Sequence, residues 1–211
     1  MLPNFFIMKR LFLLSILFIA ASFSHPLKEG SMTPEERKFA VDYFNKTKER
    51  LLKDIKGLSP EQLNFRADTA HWSVSQCVEH IALAENMIWQ FCMMGLKQPA
   101  DPEKASEDKF TTEKLISLVL DRSTKFKAPD MLQPGKKFQS FDESVHAYLS
   151  RRDSTIAYLA STQDLLKDHY INHPAFGVIN LYHAVIFVAA HSERHTEQVE
   201  EVMANPAFPK K

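Results

Sequence analysis

Glycine is scarce in this chain, five among 211 residues, and cysteine is scarcer, with two. Few glycines leave few tight turns, which argues against a fold built from many short strands. Cys77 and Cys92 fall on one predicted helix, where their separation in sequence corresponds to about 22 Å, so they cannot bridge each other. They read as buried small apolar residues, with an intermolecular bridge as the alternative. An excess of either charge is also absent: 26 basic side chains balance 26 acidic ones. No block of Lys and Arg stands out, so nucleic acid is not an expected partner. The chain has no Gly-x-Ser-x-Gly elbow, no P-loop, no dinucleotide fingerprint and no His-Glu-x-x-His. In "HSERH", Glu193 comes second after His191 and is directed about 200° away around a helix, so the zinc-protease arrangement does not apply.

What is present begins with a long apolar run. Lys9 and Arg10 precede "LFLLSILFIAASF", and the chain turns polar at "SHPLKEG". This is the pattern of a secretory leader spanning residues 1–24, with Ser22 and Ser24 at the positions a signal peptidase reads. The run falls short of the roughly 20 apolar residues that span a bilayer. Extended through "PNFFIM" it would instead be an uncleaved anchor, and Met8 heads the more usual start, "MKRLFLLSILF". Cleavage would leave 24 basic against 26 acidic groups, a formal charge of −2, and no stable membrane span. The expected location is periplasmic or secreted.

The rest reads as all-α, one domain over residues 33–203, with no strand alternation. A first long helix opens at "TPEE", with Thr33 as cap, Pro34 in the first turn and Glu36 closing a capping box. It should bury Ala40, Phe44, Thr47, Leu51 and Ile55 and stop at Gly57. Ser59 and Gln62 start a short helical turn. Ser73 and Gln76 box a second long helix that ends near Gly95, with Cys77, His80, Ala84, Ile88 and Phe91 on its inner face. A polar loop at 96–110, a shorter helix in "TTEKLISLVLDRSTKF" and the Pro-punctuated "APDMLQPGKKF" follow. Ser140 and Glu143 box a third long helix, with Val145, Leu149, Arg152, Ile156 and Leu159 down one side, and a fourth runs from about Asn180 to Met203. Four long amphipathic helices with polar connections predict a four-helix bundle.

On the fourth helix Leu181, Ala184, Val188, His191, His195, Gln198 and Val202 share a face that is apolar until it reaches the histidines. Buried imidazoles without partners cost a few kcal/mol each, so something must satisfy them. At i and i+4 the two rings stand roughly 6 Å apart, close enough to converge on one ion at about 2.0–2.1 Å. Such a pair alone is more often a surface or hydrogen-bonded feature. His80, a lone imidazole on another inward stripe, changes that balance. Three neutral imidazoles with an open fourth position describe a catalytic type of divalent site, whereas structural zinc wants four closed ligands and usually thiolates.

The stretches "WSVSQCVEHIALAE" and "HPAFGVINLYHAVIFVAAHSERHTEQVEEV" resemble the DinB-like superfamily of four-helix bundles, which includes the YfiT-type metal hydrolases. The family pattern, a Trp-Ser opening, a His on the second helix and His-x-x-x-His on the last, falls on Trp72, Ser73, His80, His191 and His195. The resemblance covers about residues 33–203 and is poorest at 96–138. It implies a divalent metal, zinc or nickel, on the three histidines, and either hydrolysis or thiol S-transfer with a small-molecule substrate or a low-molecular-weight thiol. Such thiols are chiefly cytosolic, so an exported chain favours hydrolysis or plain metal binding. The competing class is a non-catalytic metal-binding or interaction module of the cell envelope. A homodimer is compatible with the sequence.

Other candidates divide by position. Gln198, one turn beyond His195, could hydrogen-bond a ligand or bound water, and Trp72 and His71 could wall a pocket. Arg152, on an otherwise apolar face, would pair with an acid or bind an anionic substrate, the ion pair being the cheaper arrangement. Glu85 points about 140° away from His80 and suits a structural ion pair. His173 and His183 read as packing or solvent residues. No catalytic acid, base or nucleophile is assigned.

Overall fold

Capping chemistry places the helices. The computed structural model describes residues 28–123, 127–135 and 137–210, so the leader expected at 1–24 lies outside the described residues. Helix α1 spans Pro34–Ile55. The Thr33 hydroxyl accepts from Glu36 N at 3.1 Å and Glu36 Oε2 takes the Thr33 N–H at 2.7 Å. Gly57, at φ 69°, lets the chain turn away after Ile55. A single turn, α2 (Pro60–Asn64), is boxed by Ser59 and Gln62, and α3 (Val74–Leu96) by Ser73 and Gln76. Helix α4 is short, Thr112–Leu120, and α5 spans Phe141–Ser161. The box expected on α5 is half formed: Ser140 accepts from Glu143 N, but the Glu143 carboxylate takes the Gln139 N–H instead. The Asn180 side chain caps α6, Leu181–Met203.

The long helices α1, α3, α5 and α6 make the bundle. Helix α3 packs on α5 and α6, and α1 packs on the same two, so the order around the bundle is α1, α5, α3, α6. Helix α4 lies against α6. Among the described residues no helix is long and apolar enough to cross a membrane.

Three expectations need correction. Between α5 and α6 the chain forms a hairpin, β1 (Tyr170–His173) paired antiparallel with β2 (Gly177–Asn180), where no strand was expected. Four residues per strand are too few for alternation to show. The hairpin presses close: a Cβ on Gly95 would stand 2.8 Å from Ile171 Cγ2, so this glycine permits contact as well as lying near the helix end. Second, the inner stripe of α3 runs from Ile88 to Cys92 and Gly95, leaving Phe91 49% exposed. Third, α5 buries Ser144, Tyr148, Arg152, Thr155 and Leu159, while Val145, Leu149 and Ile156 are half-buried. Its inward face is marked by polar atoms, which a reading of apolar periodicity passes over.

Those polar atoms belong to a layer across the bundle. Arg152, 0% exposed, donates from Nη1 to Thr47 Oγ1 at 2.8 Å and from Nη2 to Ser192 Oγ at 2.8 Å, and its Nη2 also pairs with Glu85 Oε1. Ser192 Oγ donates to the same Glu85 oxygen at 2.6 Å. Each bundle helix thus contributes one residue. The guanidinium also lies over the Phe44 and Tyr148 rings, at 4.6 and 5.3 Å. One apolar cluster holds Phe44, Ile88, Leu159 and Val188, and a second holds Leu51, Val78, Ile81, Tyr148 and Val199. Along each helix the polar residue falls between members of the two.

Candidate metal centre

Because α3 and α6 are neighbours, their inward histidines meet. One ligand atom from each of His80, His191 and His195 lies within 4.8 Å of the others. Ring centroids are 5.1 Å apart for His80 and His191, 4.4 Å for His80 and His195, and 4.6 Å for His191 and His195. His80 is fully buried, and the two α6 rings are half-buried. Within the cluster there is no carboxylate or thiolate.

Hydrogen bonds set how two rings present themselves. His80 Nδ1 lies 2.8 Å from the Leu132 carbonyl, which can only accept, so Nδ1 carries the hydrogen and Nε2 keeps its lone pair. Leu132 ends a single 3-10 turn, Asp130–Leu132, in the segment between α4 and α5. His195 Nδ1 lies 3.0 Å from Gln198 Oε1, which leaves its Nε2 in the same state. Trp72, one residue before the α3 cap, lies almost parallel to His195, centroids 5.9 Å apart, and 4.8 Å from the His80 ring. Phe187, one turn before His191, stands 5.6 Å from it.

Burial keeps this trio neutral. It lowers the His80 pKa below the usual imidazole value against the pull of the Leu132 carbonyl. Burial, reinforced by the neighbouring rings, lowers His191 well below it, and the same combination brings His195 to about 3. With Nδ1 of His80 and of His195 carrying the hydrogen, their Nε2 atoms have none to share and cannot satisfy each other, and no hydrogen bond sets the tautomer of His191 among the described residues. A divalent ion of intermediate softness would satisfy all three, and this all-imidazole set suits zinc, nickel or copper better than the oxygen-seeking calcium or magnesium. Three donors at about 2.0–2.1 Å from one tetrahedral ion stand roughly 3.4 Å from one another, so ligand atoms up to 4.8 Å apart would draw together by up to about 1.4 Å to complete the set.

The remaining candidates lie elsewhere. Of the two readings of Arg152 the structure shows the ion pair: it donates to Thr47, Ser192 and the Phe44 carbonyl, and Glu85 is the acid. It meets the histidine region only through Ser192, the residue after His191. His71 is exposed and pairs with Asp68 at 2.7 Å. His183 pairs with the buried Asp108 carboxylate at 2.7 Å, which also accepts from Asn180 N and so ties the 96–110 loop to the start of α6. His173, in the hairpin, stacks on Phe176 and meets Phe187 edge-on, and burial lowers its pKa to about 4. It does not join the cluster. What sequence reasoning missed is the Leu132 carbonyl, since a backbone oxygen leaves no mark in the residue pattern.

The chain is similar to known proteins both in sequence and in fold. The uncharacterized protein YuaE of Bacillus subtilis (strain 168) is 26% identical over 162 residues, covering 77% of this chain and 96% of YuaE. In fold the chain is similar to YfiT from Bacillus subtilis, a probable metal-dependent hydrolase with an unusual four-helix bundle topology. That likeness has a TM-score of 0.53 at 17% identity and covers 82% of this chain and 89% of YfiT. The profile of the DinB superfamily matches residues 43–199, a span that contains all three clustered histidines, and the chain belongs to that superfamily.

Proposed function

We propose that this protein is a metal-dependent hydrolase acting on a small ester or amide, with one divalent ion, zinc or nickel, held by His80, His191 and His195. The observation that carries the reading is the convergence of three neutral imidazoles, two of them turned by an Nδ1 hydrogen bond so that Nε2 is free. When bound, an ion with three neutral ligands keeps its positive charge and supplies Lewis acidity, lowering the pKa of a water or thiol at its open position. The chain's own residues do the rest. The Leu132 carbonyl and Gln198 hold the His80 and His195 rings and make them better donors. Trp72 covers His80 and His195 from one side and keeps bulk water off them. The fold shared with YfiT supports hydrolysis. Export through the leader at 1–24, part of the same proposal, favours water over a cytosolic thiol as the reacting partner.

The first test is elemental analysis of protein purified without a His tag. About one ion per chain is expected for the wild type and almost none for His191→Ala, and equal content in both overturns the reading. Hydrolysis of a panel of aryl esters and amides, with and without chelator, then tests catalysis. Turnover only with an added low-molecular-weight thiol would replace hydrolase by S-transferase. Bound metal without either turnover would leave a metal-binding module.

A further inference from the structure

Consecutive residues of α3 grip one segment at two points. Glu79 is buried, 8% exposed, and its Oε1 accepts the backbone N–H groups of Gly135 at 3.2 Å and Lys137 at 2.6 Å. His80, the next residue, donates from Nδ1 to the Leu132 carbonyl three residues before Gly135. The Leu132 side chain is buried in the larger apolar cluster. Little regular structure stiffens this segment: it has a single 3-10 turn, a side-chain bond from Gln133 Nε2 to Ala128 O at 2.6 Å, and Pro134 and Gly135 in succession. A carboxylate buried to this extent is costly unless it accepts hydrogen bonds, and bonds to a charged acceptor are the stronger kind. Glu79 is therefore a strong clamp set beside a weak one. The Leu132 carbonyl can present itself to His80 only while its segment is held.

We infer that Glu79 is a positioning residue: by holding Gly135 and Lys137 it keeps the Leu132 carbonyl on His80 Nδ1, and so keeps the His80 Nε2 lone pair turned toward His191 and His195. Its effect on metal affinity rests on the three-histidine reading proposed above, whereas its effect on the His80 ring does not. Removing the carboxylate leaves the backbone after Leu132 without its strongest hold, and as the carbonyl turns away the His80 ring loses the acceptor that fixes its tautomer.

Two readouts test this. Nitrogen-15 NMR of the metal-free wild type should show His80 as a single Nδ1–H tautomer with a slowly exchanging proton. Glu79→Ala should give mixed tautomers and fast exchange, and Glu79→Gln, which keeps a side-chain oxygen acceptor, should restore the wild-type signal. Glu79→Leu, which retains buried volume, replaces the alanine variant if that variant does not fold. In the second readout, zinc titration, Kd should rise tenfold to a hundredfold in Glu79→Ala or Glu79→Leu and stay within about threefold in Glu79→Gln. A residue that only stabilised the fold would lower the melting temperature and move neither signal. An unchanged His80 tautomer in the alanine or leucine variant overturns the inference, and so does an unchanged Kd where the wild type binds zinc. Should the wild type bind no zinc, the three-histidine reading fails while the tautomer still decides the role of Glu79.

Discussion

Two polar regions interrupt the apolar interior of this bundle, and they are built on opposite principles. In the Arg152 layer a positive group meets a negative one, with hydroxyls of Thr47 and Ser192 filling in, so donors face acceptors. In the histidine cluster three neutral imidazoles face one another, and the N–H groups of His80 and His195 point outward to Leu132 and Gln198. Ser192 and His191 are adjacent in sequence, yet one belongs to a layer that pairs opposite charges and the other to a set of like rings. Burial of polar atoms thus does not by itself mark a functional site. Nor does an unmet polar atom, since Glu85 Oε2 and Arg152 Nε are left without partners; the mark is three ring nitrogens gathered at one point with no carboxylate or thiolate among them.

The largest effect is expected from removing the cation of the Arg152 layer. Arg152→Ala leaves Glu85 buried without its counterion and should destabilise the protein by about 3–5 kcal/mol, read by urea unfolding. Joint replacement by Arg152→Met and Glu85→Leu should recover most of that loss, because the desolvation of both charges disappears with them. Opening the other region should do the reverse. Apo His191→Ala should unfold within about 1 kcal/mol of the apo wild type, since among the described residues no hydrogen bond depends on its ring. Wild type with zinc at a hundred times Kd should gain about 2.7 kcal/mol, and the variant none. A large loss of apo stability in His191→Ala would mean that the cluster is structural after all.

Acid should separate the regions next. The unfolded chain takes up protons on its histidines below about pH 6.5. The folded His80, His191 and His195 resist protonation, His195 down to about 3. Because the unfolded state binds more protons, apo stability should fall as pH drops below 6.5, by up to about 1.4 kcal/mol per pH unit for each of the three histidines. His195→Gln should reduce the slope by one such share, measured by thermal unfolding from pH 7 to 5. The smallest effect sharpens the contrast: Gln198→Leu removes only the partner of one ring and should raise the zinc Kd about tenfold, with little change in apo stability.

Much of the fold is legible in the sequence. Thr33, Ser73 and Asn180 stand where helices begin because a side-chain acceptor there satisfies backbone N–H groups that the helix cannot. The two α6 histidines were legible because a 3.6-residue period put them on the same stripe as Ala184 and Val188. The α5 face was misread because Tyr148, Thr155 and Ser144 are buried through neighbours on other helices, and a scan for apolar residues weighs Val145 and Leu149 instead. The hairpin, with its four-residue strands, is defined by pairing rather than by pattern.

Local chemistry along the chain determined where helices start, which faces turn inward and that each of two separate helices carries imidazoles on its buried side. Only the tertiary structure decided that α3 neighbours α6, that Arg152 finds Glu85, and that a backbone carbonyl 52 positions away orients His80. The reason is the range of the forces: capping and periodicity act within a few residues, while the fit of one helix face against another, and the direction of a carbonyl in a loop, exist only once distant segments have packed.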